Sequence, residues 1–240
     1  MTESVVRIGL VLPDVLGTYG DSGNATVVRQ RLRWRDVPAE VVEIRYGDAV
    51  PECLDVYLMG GGEDEAQALA GTYLREHPGL SRAAARGAVV FGVCAGLQVL
   101  GASFVTGEGC PHDGLGLLDT ATTPGRRRAV GEVVVETGDE IGAGRLTGFE
   151  NHLGVTTVGP GSRPLGRVRS GTGNGDGTDG AVTGHVLATY LHGPVLARNP
   201  ALADLLIGWV TGAPPPDLPL PEVDELRRER LRAARGGTRR

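Results

Sequence analysis

The chain has 240 residues, enough for one large domain or two small ones with a substantial core. Hydrophobic residues make up 40% and charged residues 22%, as in ordinary globular proteins, and the net charge of -5 argues against a nucleic-acid ligand. No signal-peptide pattern is present, and the longest apolar runs are shorter than the ~20 residues of a membrane-spanning helix. The three cysteines have no metal-site spacing, so we expect no metal and a reducing, cytoplasmic location.

The first hundred residues alternate between strand and helix patterns. Four apolar segments predict strands, at residues 5–13, 39–46, 53–62 and 88–94. Residues 24–35 predict a helix with Asn24 as a possible N-cap, and residues 63–87 hold one or two more. This alternation predicts an α/β fold with a mostly parallel central sheet flanked by helices.

The pattern changes in the middle of the chain. Short strands predicted at 128–137, 145–152 and 154–158 indicate a smaller antiparallel extension of the sheet. Residues 169–184 are rich in Gly, Asp and Thr and read as a long loop. A further strand is predicted at 185–194.

The end of the chain divides into two parts. Residues 199–212 predict a helix with Asn199 as the N-cap and Pro200 at the first position. A proline-rich linker and a charged helix with a basic tail follow. We therefore expect one domain at residues 1–212 and an appended segment at 213–240.

Cys94 is the first candidate for chemistry. It stands between Gly92 and Gly96, where an apolar strand gives way to a helix. Sites in parallel sheets lie at this edge, and a helix N-terminus lowers the pKa of a thiol. The small-residue spacing is also that of a nucleophile elbow. Because junctions of a strand, a glycine and a helix are common, the local pattern alone favours a structural cysteine over a nucleophile.

A nucleophilic thiol needs a base, and His192 is the best candidate among five histidines. It ends an apolar strand at a turn, which places it at a sheet edge. A structural histidine at such a position remains an alternative.

Together these segments resemble the class I glutamine amidotransferases. That family has an elbow of the form G-x-C-x-G-x-Q, matched by Gly92, Cys94, Gly96 and Gln98, and a histidine about a hundred residues later. The glutamate that many members carry two residues after the histidine is replaced by Pro194, as in the cobyric acid synthase-like (CobB/CobQ) branch. Within this branch, "YGDSGN" (19–24) and "TYLHGPVLARNPALADLL" (189–206) are similar to the glutaminase subunits of lipid II isoglutaminyl synthases.

The resemblance implies a role for each site residue. Cys94 would attack the side-chain amide of L-glutamine, and His192 would transfer the protons. Backbone amides of Gly61, in a glycine turn after a strand, and of Ala95 would hold the oxyanion. Other pocket residues are implied by the same likeness: Arg128 for the α-carboxylate of glutamine, together with Gln98, Glu150, Asn151 and His152. A departure occurs at Glu63, where the family pattern leads us to expect glutamine.

The missing glutamate leaves His192 without an obvious orienting group. An imidazole base needs an acceptor that holds its tautomer and stabilises its charge. We expect the carboxylate to come from a partner subunit. Asp21 reads more readily as a residue at a helix start, and its segment as part of a partner surface or an ammonia exit.

The resemblance also implies a partner. No phosphate-binding loop is possible in a chain without lysine, so we expect no cofactor here, with ATP and Mg²⁺ on a MurT-like ligase subunit. That partner would carry the ammonia to lipid II at the membrane surface. Two alternatives stay open: the glutaminase part of a cobyrinate-type amide synthase, and a non-catalytic scaffold subunit.

Overall fold

The computed structural model describes residues 5–236, in which two sheets and seven helices are formed. The helices, in chain order, are α1 (Gly23–Arg33), α2 (Asp64–Glu76), α3 (Gly79–Ala85), α4 (Ala95–Leu100), α5 (Val195–Arg198), α6 (Pro200–Thr211) and α7 (Pro221–Gly236). The first six strands are β1 (Val6–Val11), β2 (Ala39–Ile44), β3 (Val56–Met59), β4 (Val89–Val93), β5 (Ser103–Val105) and β6 (Pro111–Asp113). The other six are β7 (Thr120–Thr137), β8 (Arg145–Val158), β9 (Gly166–Ser170), β10 (Thr178–Asp179), β11 (Ala181–Thr183) and β12 (Val186–Thr189).

The first sheet has the strand order β11-β12-β4-β3-β1-β2. All neighbours are parallel except the edge strand β11, which runs antiparallel to β12. Every residue of β3, β4 and β12 is buried, as expected for strands covered on both faces. Helix α1 packs with α5 and α6, and α2 packs with α4. The predicted parallel α/β core is therefore confirmed.

Four adjacent strands of this sheet each lead into one residue of the candidate site. His192 follows β12, Cys94 follows β4, Gly61 follows β3, and Asp21 lies in the loop after β1. Neighbouring strands are about 4.8 Å apart, and parallel strands all end at the same edge. The order of the sheet therefore gathers four sequence-distant residues.

The second sheet is built on a long antiparallel pair, β7 with β8. Strands β9 and β5 pair with β7, β10 pairs with β9, and β6 pairs with β5. Pro124 pairs with Gly154 and Ala129 with His152, so residues 125–128 bulge out of β7. This bulge carries Arg128.

Several sequence expectations differ from this second sheet. The three short strands predicted at 128–137, 145–152 and 154–158 are parts of two strands of 18 and 14 residues. A proline and a glycine interrupt the alternation of apolar and polar residues near the bulge, so the sequence pattern does not indicate where β7 begins. The loop predicted at 169–184 includes β10 and β11, because short edge pairs carry little apolar signal. The second sheet is therefore not smaller than the first: each has six strands, and the second is mixed because its β5–β7 pair is parallel.

Helix ends agree with the sequence in part. Pro200 opens α6 as predicted, with Asn199 before it, but the Asn199 side chain makes no cap. Its amide instead exchanges two hydrogen bonds of 2.8 Å with the backbone of Thr147 in β8. Helix α1 begins at Gly23, and Asn24 accepts from the Leu196 amide rather than capping the helix.

The C-terminal segment contacts the second sheet. Helix α7 packs on β7 and β8, and the Arg227 guanidinium donates to the backbone carbonyl of Arg145. Between α6 and α7 the Pro216 carbonyl accepts a hydrogen bond of 2.8 Å from Arg35. The domain boundary at residue 212 stays a prediction. Within residues 5–236, every helix is too short or too polar to cross a bilayer.

Candidate active site

Cys94 occupies a tight junction between β4 and α4. Its backbone has φ 54° and ψ -104°, a strained conformation for a residue with a side chain. A Cβ on Gly92 would lie 2.9 Å from the Gly96 carbonyl carbon, and one on Gly96 would lie 3.0 Å from the Met59 oxygen. The two glycines are therefore needed for the strand and helix to meet so closely. This is the geometry of the predicted nucleophile elbow.

The thiol of Cys94 is held in its neutral form. Burial raises its pKa to about 12, and the Asp21 carboxylate acts in the same direction. The amide of Ala95 hydrogen-bonds the sulfur and opposes this rise in pKa without cancelling it. The amide at the start of α4 thus acts in the expected direction, but desolvation outweighs it and the net pKa shift is upward.

His192 is oriented by a carboxylate of the same chain. Its Nδ1 lies 2.9 Å from Oδ2 of Asp21, and both side chains are buried. The backbone of His192 pairs with Phe149 of β8 in both directions, at 2.8 and 3.2 Å. The Tyr19 ring covers the imidazole, with 4.7 Å between ring centroids. The expected partner carboxylate is thus unnecessary for orienting His192, because Asp21 already occupies that position.

Gly61 lies between these three side chains. A Cβ added to it would lie 2.7 Å from Cε1 of His192, 3.3 Å from Cβ of Cys94 and 3.4 Å from Oδ2 of Asp21. The imidazole and the cysteine side chain therefore both border a position that only glycine can fill. Nε2 of His192 is buried and has no hydrogen-bond partner among the described residues, so it is available to a substrate or to the thiol.

The glycine turn differs in detail from the expected oxyanion site. The Gly61 amide donates to Oδ2 of Asp21 at 3.0 Å, so it is occupied in this structure. The amide of Gly62 makes no hydrogen bond to any described residue, and Gly62 lines the adjacent cavity. The unengaged amide of Gly62 is therefore a second candidate, beside Gly61, for donating to a developing oxyanion.

A cavity of about 320 Å³ opens in front of Cys94. Its wall combines the elbow, the start of α2 and the facing residues of β7 and β8. The lining residues are Gly62, Glu63, Asp64, Glu65, Gln67, Cys94, Gln98, Val105, Gly107, Pro124, Arg128, Asn151, His152, Leu153 and Gly154. Ala95 and His192 are buried next to Cys94. The volume suits a ligand the size of an amino acid.

Arg128 reaches the cavity from the β7 bulge. Its Nε donates to Oδ1 of Asn151 at 2.6 Å, and Nδ2 of Asn151 donates to the Tyr19 hydroxyl at 2.9 Å. Nη2 of Arg128 is 3.9 Å from Oε2 of Glu63, beyond hydrogen-bond distance. The guanidinium is thus fixed at Nε, and its two terminal nitrogens can form a bidentate pair with a carboxylate.

Gln98 and His152 form the inner wall of the cavity. Gln98 accepts from Gln67 at 2.8 Å and donates to the Tyr190 hydroxyl at 3.4 Å. His152 stacks on Tyr190 with 3.8 Å between centroids, and its Nδ1 contacts the Gly154 carbonyl at 2.9 Å. Both residues are therefore near the thiol, as predicted, but in fixed orientations.

Glu150 has a different place from the one expected. It lies within β8 rather than in a turn, and its carboxylate accepts from the amides of Thr172 and Gly173 at 2.7 and 2.8 Å. Burial acts to raise its pKa, but the neighbouring His152 and these two amides outweigh that and lower it. Glu150 therefore holds the 172–173 loop and does not line the cavity.

The structure brings Cys94, His192 and Gly61 together and adds Asp21, whose role was missed. One signal was available: Asp21 follows an apolar strand, at the edge where functional residues of parallel sheets gather. Its main chain does precede α1, but its side chain turns away from the helix to His192. Local sequence cannot distinguish these two uses of an aspartate.

Comparison with known proteins agrees with this geometry. Residues 7–200 match the CobB/CobQ-like glutamine amidotransferase domain. Lipid II isoglutaminyl synthase (glutamine-hydrolyzing) subunit GatD of Staphylococcus aureus (strain N315) is 37% identical over 201 residues, 82% of this chain and 80% of that protein. A cobyric acid synthase of Pelotomaculum thermopropionicum is 40% identical over 149 residues, 54% of this chain and 27% of that enzyme. A crystal structure of a glutamine amidotransferase has a TM-score of 0.60 at 24% identity, covering 85% of this chain and 98% of that one.

Proposed function

The chain belongs to the CobB/CobQ-like glutamine amidotransferase family, and from this premise we propose that it is the glutaminase subunit of a lipid II isoglutaminyl synthase. It hydrolyses L-glutamine to glutamate and ammonia. The observation that carries the proposal is the arrangement of Cys94, His192 and Asp21 at the end of a cavity of amino-acid size. The likeness to the staphylococcal GatD over most of both chains supports the specific assembly.

The reaction runs through a thioester. As the sulfur of Cys94 attacks the amide carbon of glutamine, its proton moves to Nε2 of His192 and the carbonyl electron pair moves onto oxygen. When the carbonyl re-forms, the C–N bond breaks and ammonia leaves with that proton. Water then gives a proton to His192 and attacks the thioester, and the C–S bond breaks to release glutamate and restore the thiol.

Burial raises the pKa of the Cys94 thiol, so its attack requires transfer of the proton to His192. Asp21 holds Nδ1 of the imidazole, which directs Nε2 towards the reaction and stabilises the imidazolium. The developing oxyanion is held by the amide of Ala95 and by that of Gly61 or Gly62. Donors of this kind contribute a factor of about 10²–10³ each in rate.

Arg128 binds the α-carboxylate of glutamine. Its Nε is fixed by Asn151, so its terminal nitrogens can form a bidentate pair at the cavity mouth, while the side-chain amide of the substrate extends inward to Cys94. Gln98, Asn151 and His152 hold the walls around this path.

The ammonia passes to a MurT-like ligase subunit. That partner uses ATP and Mg²⁺ to activate the D-glutamate carboxylate of the lipid II stem peptide, which becomes D-isoglutamine. A chain without lysine contains no phosphate-binding loop of the form G-x-x-x-x-G-K-[ST], which supports a division of labour between two subunits. The described cysteines, Cys53, Cys94 and Cys110, are all free thiols, in keeping with a cytoplasmic location.

The alternatives have less support. The cobyric acid synthase matches this chain over only 27% of its own length, so that likeness covers the shared glutaminase part. A non-catalytic scaffold would have no need for a strained cysteine opposite an oriented histidine.

Ammonia release from L-glutamine by the purified complex tests the proposal. Wild type should release ammonia and form D-isoglutamine from lipid II, and Cys94→Ala should abolish both. Cys110→Ala is the matched control, because Cys110 is an exposed thiol outside the cavity, and it should keep wild-type rates. Equal ammonia release by wild type and Cys94→Ala would support the scaffold reading, and retained hydrolysis without lipid II amidation would reject the proposed acceptor.

A further inference from the structure

Glutamine is a zwitterion, and the site described so far has a partner for only one of its charges. Arg128 can take the α-carboxylate, but the adjacent α-ammonium also loses water when the amino acid enters the cavity. A buried or half-buried ammonium requires hydrogen-bond acceptors, preferably anionic ones. The question of which residue accepts it rests on the proposed function.

The neutral side chains of the cavity are already committed. The Gln98 carboxamide is engaged at both ends, with Gln67 and Tyr190. Asn151 is engaged at both ends as well, with Arg128 and Tyr19. Using either amide for the ammonium would break a contact that shapes the wall.

The carboxylates at the cavity edge differ from one another. Asp64 accepts a hydrogen bond of 2.6 Å from the Gly107 amide. Glu63 accepts at Oε1 from the Tyr19 hydroxyl at 3.3 Å, while its Oε2 has only the distant Arg128 guanidinium at 3.9 Å. Glu63 is thus anchored by one oxygen and free to accept with the other, next to the group that binds the α-carboxylate.

We propose that Glu63 binds the α-ammonium of L-glutamine and that, with Arg128, it makes the site selective for free α-amino acids. In the free protein the two side chains form a long, solvent-exposed ion pair, with side-chain exposures of 45% and 62%. The zwitterion inserts between them, so each charge gains a closer partner and the net charge of the site is unchanged. Glutamine at this position, expected from the family pattern, would supply an acceptor without a charge.

The test compares two amides of equal length in the full complex. L-glutamine carries the α-ammonium, and 4-carbamoylbutanoate has the same carboxylate and amide without it. For Glu63→Gln we expect KM for L-glutamine to rise about tenfold with kcat within about twofold, because a charge-assisted contact is lost in the bound state. KM for 4-carbamoylbutanoate should stay unchanged.

Glu76→Gln is the matched control, because Glu76 is an exposed carboxylate at the other end of α2, outside the cavity, with no side-chain hydrogen bond or ion pair among the described residues. It should leave both KM values within about twofold of wild type, as an exposed charge removed without a partner does. An equal rise in KM for both amides in Glu63→Gln would overturn the proposal, and so would an unchanged KM for L-glutamine.

A binding measurement tests the role of Glu63 independently of glutamine hydrolysis. Calorimetric titration of Cys94→Ala with each amide reports recognition without turnover. Preference for L-glutamine that disappears in the Cys94→Ala, Glu63→Gln double variant supports the role of Glu63 even if wild type proves inactive as a hydrolase. Absence of that preference in Cys94→Ala rejects the role of Glu63 even if wild type releases ammonia.

Discussion

Asp21 and His192 form a buried hydrogen bond of 2.9 Å across a sequence separation of 171 residues. The acceptor oxygen, Oδ2, also receives the Gly61 amide at 3.0 Å. One carboxylate oxygen therefore holds both the imidazole and the glycine turn beside Cys94. A partner subunit that stimulates this site has to act on something other than the tautomer of His192.

Replacing Asp21 by Asn should lower kcat for ammonia release by about a hundredfold or more with little change in KM. The amide cannot stabilise an imidazolium, and its NH₂ group can displace the correct tautomer. Steady-state kinetics on the complex measures both constants. Ser22→Ala, at an exposed neighbour without a side-chain cap, is the control and should match wild type. A wild-type kcat in Asp21→Asn would indicate that a carboxylate of the partner subunit, and not Asp21, orients His192.

Alkylation of Cys94 should follow its raised pKa. With a pKa of about 12, the thiolate fraction rises about tenfold per pH unit between pH 7 and 10. Peptide mass spectrometry after timed exposure to iodoacetamide gives the rate at each pH, with exposed Cys53 as an internal reference. Asp21→Asn should react faster at every pH, because the carboxylate raises the pKa of the thiol. A plateau in the Cys94 rate below pH 9 would contradict this description.

Gly61→Ala should be both inactive and less stable. The new methyl group would lie 2.7 Å from Cε1 of His192, so the ring has to move away from Cys94. We expect kcat to fall at least about a hundredfold, and the free energy of unfolding to fall by about 1–3 kcal/mol. Gly138→Ala is the control, since a Cβ there meets no atom within 4 Å and its φ is not positive. Denaturant unfolding and ammonia release on both variants decide the question.

Asp179 should make stability depend on pH. Burial raises its pKa to about 6, although Thr189 and the Tyr190 amide donate to it at 2.5 and 3.3 Å. The folded state thus favours the protonated acid, whose contribution is complete below pH ~4 and is lost as the pH rises through 6. Asp179→Asn removes this loss, so its free energy of unfolding relative to wild type should rise by on the order of 2–3 kcal/mol between pH 4 and 7.5.

Urea unfolding of both proteins across this pH range measures the difference. Thr172→Ala is the control, because Thr172 is an exposed residue in the same glycine-rich segment whose side chain does not titrate and makes no hydrogen bond to a described residue. Its stability difference from wild type should not vary with pH. A constant difference between wild type and Asp179→Asn would show that Asp179 stays ionised in the folded protein.

The sequence predicted the parallel sheet and two of the site residues well. Apolar runs that end in glycine or histidine identify strand ends, and strand ends of a parallel sheet share one edge, which pairs Cys94 with His192. Gly61 was implied by the resemblance to the amidotransferase family rather than by the strand pattern, and its amide is occupied by Asp21.

The incorrect predictions concern properties that depend on residues distant in the sequence, which a local sequence pattern does not show. Asp21 looks like a helix-start residue because its true contact lies in the last strand connection of the sheet. The pKa of Cys94 depends on burial by the whole fold, which a short helix cannot offset. The bulge that presents Arg128 depends on the register between β7 and β8, and Pro124 and Gly125 interrupt the alternation from which register is read.

Because the strand order of the first sheet positions the catalytic residues, substitutions that affect catalysis and substitutions that affect substrate binding fall in different parts of this protein. Backbone hydrogen bonds between the strands set the spacing of Cys94, His192, Gly61 and Asp21. No single side chain determines this spacing. Most of the residues that line the cavity come instead from the start of α2 and from the bulge and partner strand of the second sheet. Substitutions of these residues can change which amide substrate binds without altering the catalytic residues. New substrate specificities can therefore evolve on this fold through changes around the cavity alone.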